Sequence, residues 1–297
     1  MPAAPAPSCA FIHEGTLAVR YLGGVPATDV AIDGHQVTML VDTGAEFSIV
    51  SRPAARALHL PRDQHETVQL NGIGGAMTVS HPVEARTLGF GAITLHHRAL
   101  AVVPGNQGVF AKFPWHEVGG ILGLDVLARY DLDLDLPHRR IRLLAPRNCP
   151  AGGPPWPGPA AAPPPVRSAQ LLRNLVFEVR LDGHPVPAII DSGAGAVVVS
   201  LAAARRVGVT AAVLRSARTI YVQGGNKSDV AARFHRFRQL AIGGLVFNRP
   251  MLPVMAFGGT APGIAPGVLV GETLLRHHRV FISYAARRVF IAPAPSR

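Results

Sequence analysis

The chain has 297 residues, a net charge of +11, 48% hydrophobic and 16% charged side chains, 31 glycines and 27 prolines. That is enough chain for two ordinary domains with separate cores, and the mix favours short strands joined by turns over long helices. No apolar run approaches the roughly 20 residues of a membrane-spanning helix, and two cysteines are too few for a disulfide framework and lack metal-ligand spacing.

The charge is uneven. Through residue 148 there are twelve Lys and Arg against thirteen Asp and Glu; beyond it there are seventeen against five. An arginine-rich, solvated second half is the plain reading, and an anionic partner the sharper one. Only Lys112 and Lys227 are lysines, and no aromatic interleaving marks a nucleic-acid module, so no nucleic-acid partner is expected.

Met1-Pro2-Ala3-Ala4-Pro5 has no basic start before an apolar core, so no signal peptide is expected. The location then reads as cytoplasmic by default, or exported if the start is truncated. Cys9 and Cys149 flank the first half. A disulfide stapling its ends is one reading, and two thiols in a reducing compartment the other.

Residues 1–10 are Pro/Ala-rich and expected to be poorly ordered. Strands are predicted over 16–21, 28–32 and 37–41, with Asp33-Gly34 as a tight hairpin turn. Ser51 caps a short helix over 54–58. Asn71-Gly72-Ile73-Gly74-Gly75 reads as a flexible hairpin tip. Strands over 87–90 and 93–103 lead to Ile121-Leu122-Gly123 and a short helix over 125–129. Next, Asp131-Leu132-Asp133-Leu134-Asp135 alternates strictly and turns at Pro137-His138 into Arg139–Leu143. Leu136 and Arg142 stand where a calcium loop needs glycine and glutamate, so the aspartates read as the wet face of an edge hairpin, paired with returning arginines.

Residues 145–168 form a Pro/Gly/Ala linker, extended and semi-rigid. The pattern then restarts. Asp182-Gly183 answers Asp33-Gly34, and Ile190-Asp191-Ser192-Gly193-Ala194 answers Val41-Asp42-Thr43-Gly44-Ala45. Ser200 opens a helix over 201–207 that Gly208 stops. Tyr221-Val222-Gln223-Gly224-Gly225 takes the place of the first glycine tip, and Leu269-Val270-Gly271 that of Ile121-Leu122-Gly123. Landmarks repeating in one order predict two copies of one β-domain, the first over 11–144 and the second over 169–297.

A single Asp-hydroxyl-Gly triplet means little. Two of them, each ending an apolar run in matching halves, predict a paired-carboxylate site. Two carboxylates within hydrogen-bonding distance share one proton and split their titration. One can then take a proton from water while the other gives one to a carbonyl oxygen. The glycines let backbone N–H groups approach the acids. Thr43 and Ser192 are placed to reach the backbone of the opposite half. His96-His97 and His277-His278 form no metal motif, so no metal or cofactor is expected.

Asp42-Thr43-Gly44-Ala45, Asn71-Gly72-Ile73-Gly74-Gly75 and Ile121-Leu122-Gly123 resemble the catalytic loop, flap and apolar-apolar-glycine segment of retropepsin-like aspartic proteases. Asp191-Ser192-Gly193-Ala194, Gly224-Gly225 and Leu269-Val270-Gly271 resemble the same elements again. The resemblance implies an all-β fold of two tandem acid-protease β-barrel lobes, related by pseudo-twofold symmetry, with short helices. It also implies a peptide or unfolded-protein substrate, with Asp42 and Asp191 catalytic and Thr43, Gly44, Ser192 and Gly193 supporting them. Gly72, Ile73, Gly74, Gly75, Gly224 and Gly225 then form flaps. Tyr221 reads either as closing over substrate or as a packed strand tyrosine. A monomer with its lobes paired within the chain is the leading form; the alternatives are a homodimer with each lobe paired to another chain and a non-catalytic peptide-binding module.

Two features depart from better-known members of that group. Thr273 stands at the place of Asp125, and Ala45 and Ala194 follow the glycines where a hydroxyl residue is usual. A missing hydroxyl donor should raise the carboxylate pKa and move the pH optimum toward neutrality.

Overall fold

The computed structural model describes residues 9–71, 77–106, 108–149, 153–166, 174–223, 229–257 and 265–292. Its first half runs β1 (Ala10–Ala18), β2 (Arg20–Leu22), β3 (Val25–Ile32), β4 (His35–Val41), β5 (Ile49–Ser51), α1 (Arg52–Ala57), β6 (Val68–Asn71) and β7 (Met77–Ser80). It continues through β8 (Val83–Phe90), β9 (Ile93–Val103), β10 (Gly120–Leu122), α2 (Leu124–Leu127), β11 (Asp131–Asp135) and β12 (Arg140–Arg147). The second half runs β13 (Phe177–Leu181), β14 (His184–Ile190), β15 (Val198–Ser200), α3 (Leu201–Arg206), α4 (Ala211–Arg215), β16 (Thr219–Gln223) and β17 (Asp229–Arg236). Then come β18 (Gln239–Ile242), β19 (Leu245–Asn248), β20 (Met251–Met255), β21 (Val268–Val270), α5 (Glu272–Leu275), β22 (Val280–Ser283) and β23 (Arg288–Ile291). The fold is all-β, two lobes in tandem with short helices, as its turn-rich composition predicts.

Asp33-Gly34 and Asp182-Gly183 take left-handed dihedrals (φ 49° and 84°, 50° and 85°). A two-residue hairpin turn of this hand matches the twist of the strands it joins. Each turn aspartate also ties its hairpin to a later strand. Asp33 Oδ1 accepts from Thr87 N at 2.8 Å, and Asp182 Oδ1 from Gln239 N at 2.9 Å. Ser51 and Ser200 cap α1 and α3, accepting from Ala54 N and Ala203 N.

In the first lobe β3, β4, β10, β5, β9 and β8 pair in that order, and β8 returns to β3, closing a barrel. Alternate residues Val30, Ile32, Val37, Met39 and Val41 face inward with Leu88, Leu100 and Leu122, all buried. The second lobe's sheet stays open, in the order β16-β17-β20-β15-β21-β14-β13-β18-β19. β9 is eleven residues long and serves both a hairpin and the barrel. Its counterpart is split into β19 and β20 around Arg249-Pro250, because proline has no N–H to give a ladder.

The aspartate strand differs from its expected setting. β11 is neither wet nor at an edge: it is the middle strand of β1-β12-β11-β22-β23, whose last two strands come from the second lobe. Asp131, Asp133 and Asp135 are only 2%, 0% and 1% exposed. The returning arginines do pair with them, Arg142 with Asp133 and Arg140 with Asp135, each at 2.7 Å. In addition Arg279 of the second lobe holds Asp133 through two hydrogen bonds of 2.7 and 2.6 Å. Asp131 accepts from Ser283 Oγ at 2.8 Å and Ala285 N at 3.1 Å. Strict alternation identifies which residues share a face but not what will cover it.

The described part of the proline-rich stretch is packed rather than a free spacer. Ala161 and Ile291 exchange backbone hydrogen bonds of 2.8 and 2.9 Å. Trp156 meets Phe281 edge-on at 6.1 Å and carries the Arg279 guanidinium over its ring at 4.4 Å. Ala10 already belongs to β1, and Cys9 and Cys149 form a disulfide that joins the ends of the first lobe.

Candidate active site

Both acidic triplets sit at the ends of hydrophobic strands that run beside a second buried strand. β4 pairs with β10 in parallel and β14 pairs with β21 in parallel. Each acid's backbone N–H is held by the neighbouring strand: Asp42 N donates to Leu122 O and Asp191 N to Val270 O, both at 3.0 Å. Ile121 and Leu122, and Leu269 and Val270, thus lie in the strands beneath the acids, while Gly123 and Gly271 precede α2 and α5. A Cβ at Gly123 would stand 2.5 Å from Phe47 O, and one at Gly271 would run into the Ala194 and Ala196 carbonyls. The glycines are what lets the acidic loops fold down over these strands.

Thr43 and Ser192 are buried and bridge the lobes. Thr43 Oγ1 donates to Ile190 O at 2.9 Å and accepts from Ser192 N at 3.1 Å. Ser192 Oγ donates to Val41 O at 2.7 Å and accepts from Thr43 N at 3.0 Å. Each hydroxyl uses its donor and one lone pair on the opposite loop. Four reciprocal hydrogen bonds in a buried place fix how the two loops face each other.

The loops face through their glycines. A Cβ on Gly44 would stand 2.5 Å from Asp191 Cγ, and one on Gly193 would collide with the Asp42 carboxylate. Asp42 is half-buried and Asp191 9% exposed. Asp42 Oδ1 accepts from Gly44 N at 2.8 Å and Ala45 N at 3.0 Å, whereas Asp191 Oδ1 accepts from Ala194 N at 3.0 Å. Burial pushes both carboxyls above the ordinary aspartate value. At Asp191 the nearby Asp42 charge acts in the same direction as burial. The arrangement favours a pair that holds one proton between them.

Outside this centre the lobes differ. Asp125 Oδ1 accepts from Ser48 N at 2.8 Å and Ser48 Oγ at 2.7 Å, while Ser48 Oγ accepts from Gly123 N at 3.0 Å. In the second lobe Thr273 Oγ1 accepts from Val197 N at 3.0 Å. A neutral hydroxyl therefore does with one bond what a carboxylate does with two. Sequence reasoning gave Ser48 no part in this site, although it stands three residues before the helix-capping Ser51, where the second lobe has Val197. It also passed over Glu272, which stands where the first lobe has Leu124. The Glu272 side chain is fully buried, and neither carboxylate oxygen has a hydrogen-bond partner among the described residues.

The flap elements are also unequal. β6 and β7 form a sheet of their own, whereas β16 and β17 extend the large sheet through β20. Tyr221 on β16 is 71% exposed, so it is not a packed strand tyrosine. Gly72, Ile73, Gly74, Gly75, Gly224 and Gly225 lie outside the described residues. Among the described residues no group of three or more His, Cys, Asp and Glu is placed to hold a metal, and no helix is long and apolar enough to cross a membrane.

Compared with curated proteins, the chain matches none. Family comparison does find two matches: residues 28–129 fit the aspartyl protease of gag polyproteins, and residues 177–271 fit the family described as aspartyl protease. The first match takes in Asp42 and Ile121-Leu122-Gly123, the second Asp191 and Leu269-Val270-Gly271. Each half of the chain is thus similar to an aspartyl protease family, consistent with two retropepsin-like domains in tandem.

Proposed function

We propose that this protein is an aspartic endopeptidase whose active centre is assembled within one chain from Asp42 and Asp191. The observation that carries this reading is the mutual approach of the loops: each glycine lies against the other lobe's carboxylate, leaving no room for a Cβ. The likeness of both halves to aspartyl protease families supports aspartic protease activity in general. The lobe pairing through β11 and β22, with Asp133 held by Arg279, favours an intrachain centre over one shared between two chains.

In this reading Asp42, with two backbone donors, is the ionised member and Asp191 carries the proton. Water attacks the peptide carbonyl carbon as Asp42 accepts its proton, and Asp191 gives its proton to the carbonyl oxygen. The tetrahedral intermediate then breaks its C–N bond, with Asp42 returning a proton to the leaving nitrogen and Asp191 recovering one from the hydroxyl. A carboxylic acid and an amine leave, and the pair is again singly protonated. No covalent enzyme intermediate is needed. Tyr221 and the two glycine tips would cover a peptide laid across the pair.

Cleavage of an unfolded protein by Asp42→Asn and Asp191→Asn tests this. Each variant should lose activity. Recovery of activity on mixing the two variants would show that the centre forms between chains. Full activity in either variant would remove that aspartate from the mechanism.

A further inference from the structure

Away from the paired acids, α1 and the base of the first flap enclose a cavity of about 570 Å³. Its lining includes Arg52 and Arg56 from α1, Arg62, and the two histidines His59 and His81. Among the described residues no acidic one lines it, and none of its lining residues belongs to either acidic loop. Leu60, Ala55 and Val83 supply a buried apolar floor, while the three arginines are exposed. Among the described residues none of the three is ion-paired, although Arg20, Arg86, Arg140, Arg142 and Arg279 all are.

Solvated surface arginines are common, but three features set these apart. The first half of the chain has a slight excess of acids over bases, so the cluster is not part of a general basic surface. The adjoining cavity, which shares Arg62 and Val83, has Asp63 and Glu84 in its wall; this one has neither. The duplicated helix α3 keeps Arg205 at the place of Arg56 but has Leu201 at the place of Arg52, so the cluster is not a by-product of the repeated fold. Like charges gathered around an apolar floor repel one another, and an anion among them relieves that repulsion. Guanidinium groups present paired N–H donors that match the oxygens of phosphate and carboxylate.

We propose that this cavity binds a compact polyvalent oxyanion, of phosphate or polycarboxylate chemistry, at a site separate from the paired aspartates. The site does not depend on the protein's being an active peptidase. Ser80 and Val79, the last residues of flap strand β7, form part of its wall.

Titration calorimetry of the whole protein with inorganic tripolyphosphate, and separately with citrate, tests this. Saturable binding of one anion per chain is expected, and whichever anion binds more tightly identifies the chemistry. Arg52→Ala/Arg56→Ala should weaken it by about 100-fold, the loss of two charge-assisted contacts. Arg205→Ala/Arg206→Ala removes the same charge from α3 and should leave binding within a few-fold of the parent. Absence of saturable binding for both anions would overturn the proposal, as would equal weakening by the two double variants, which is the result that net charge alone would give.

Discussion

At the scale of single residues the centre depends on two positions without side chains. Gly44 and Gly193 lie so close to the opposite carboxylates that an added methyl group must displace them. Displacement of a reacting group by about 1 Å costs on the order of 100-fold in rate. Gly44→Ala and Gly193→Ala should therefore each lower kcat/KM toward an unfolded substrate by at least about that factor, while thermal unfolding still shows one cooperative transition. Unchanged kcat/KM in either variant would refute the close approach. The pH profile follows from the same neighbourhood. Burial raises both carboxyls, and the Asp42 charge raises Asp191 further. Ala45 and Ala194 offer the acids a backbone N–H but no hydroxyl. The proposed mechanism needs the singly protonated pair, so raising both values moves the bell-shaped profile upward. The optimum is expected in the mildly acidic to neutral range, and a peak below about pH 3, near the lower value of a typical pair, would contradict it.

At the scale of elements, the helices that follow the two glycine segments differ in one buried charge. α2 begins with Leu124, α5 with Glu272. Burial pushes the Glu272 carboxyl from 4.5 to about 7, against the opposing pull of the Arg276 charge; Tyr21 of β2 lies nearby. Tyr21 is itself pushed up to about 12, by burial first and the Glu272 charge second. The folded state thus holds the Glu272 proton more tightly than the unfolded chain does. Its contribution to stability is full below about pH 4.5 and is lost as the pH rises through about 7, amounting to about 3 kcal/mol at most. Glu272→Gln keeps the shape and cannot ionise. Urea unfolding at pH 5 and pH 8 should show a falling stability in the parent and a flatter dependence in the variant. An identical pH slope in both would remove Glu272 as its source.

At the scale of the whole molecule, the lobes are joined by β11 against β22 and by the buried carboxylate of Asp133 between Arg142 and Arg279. Removing one partner of a buried charge cluster leaves the others uncompensated, at a cost of roughly 3–5 kcal/mol. Asp133→Ala should lose stability on that scale in denaturant unfolding; a change under about 1 kcal/mol, as for a surface pair, would show that the seam is wetter than it looks. The Cys9–Cys149 disulfide closes a loop over a separation of 140 residues. Constraint of the unfolded chain by such a link is worth about 2–4 kcal/mol. Reductant should therefore lower Tm in the parent and leave a Cys9→Ser/Cys149→Ser variant unmoved.

Much of the design was legible in the residues. The hairpin turns needed Asp-Gly, the helix caps needed serine, and the loop glycines had to stand where backbone meets carboxylate, all of which are local requirements that leave a local trace. The order of landmarks, repeated once, determined that two like lobes would bring two acids to a common centre. What stayed hidden depends on neighbours far away in the chain. Alternating leucine and aspartate does not reveal that the second lobe will cover the aspartates, because burial is decided by the strand that pairs alongside. Neither does a lone Glu272 in place of Leu124 reveal a carboxyl held near neutrality, or three arginines a basic cavity. Those properties are set by desolvation and by the sum of surrounding charges, and only the assembled tertiary structure decides them.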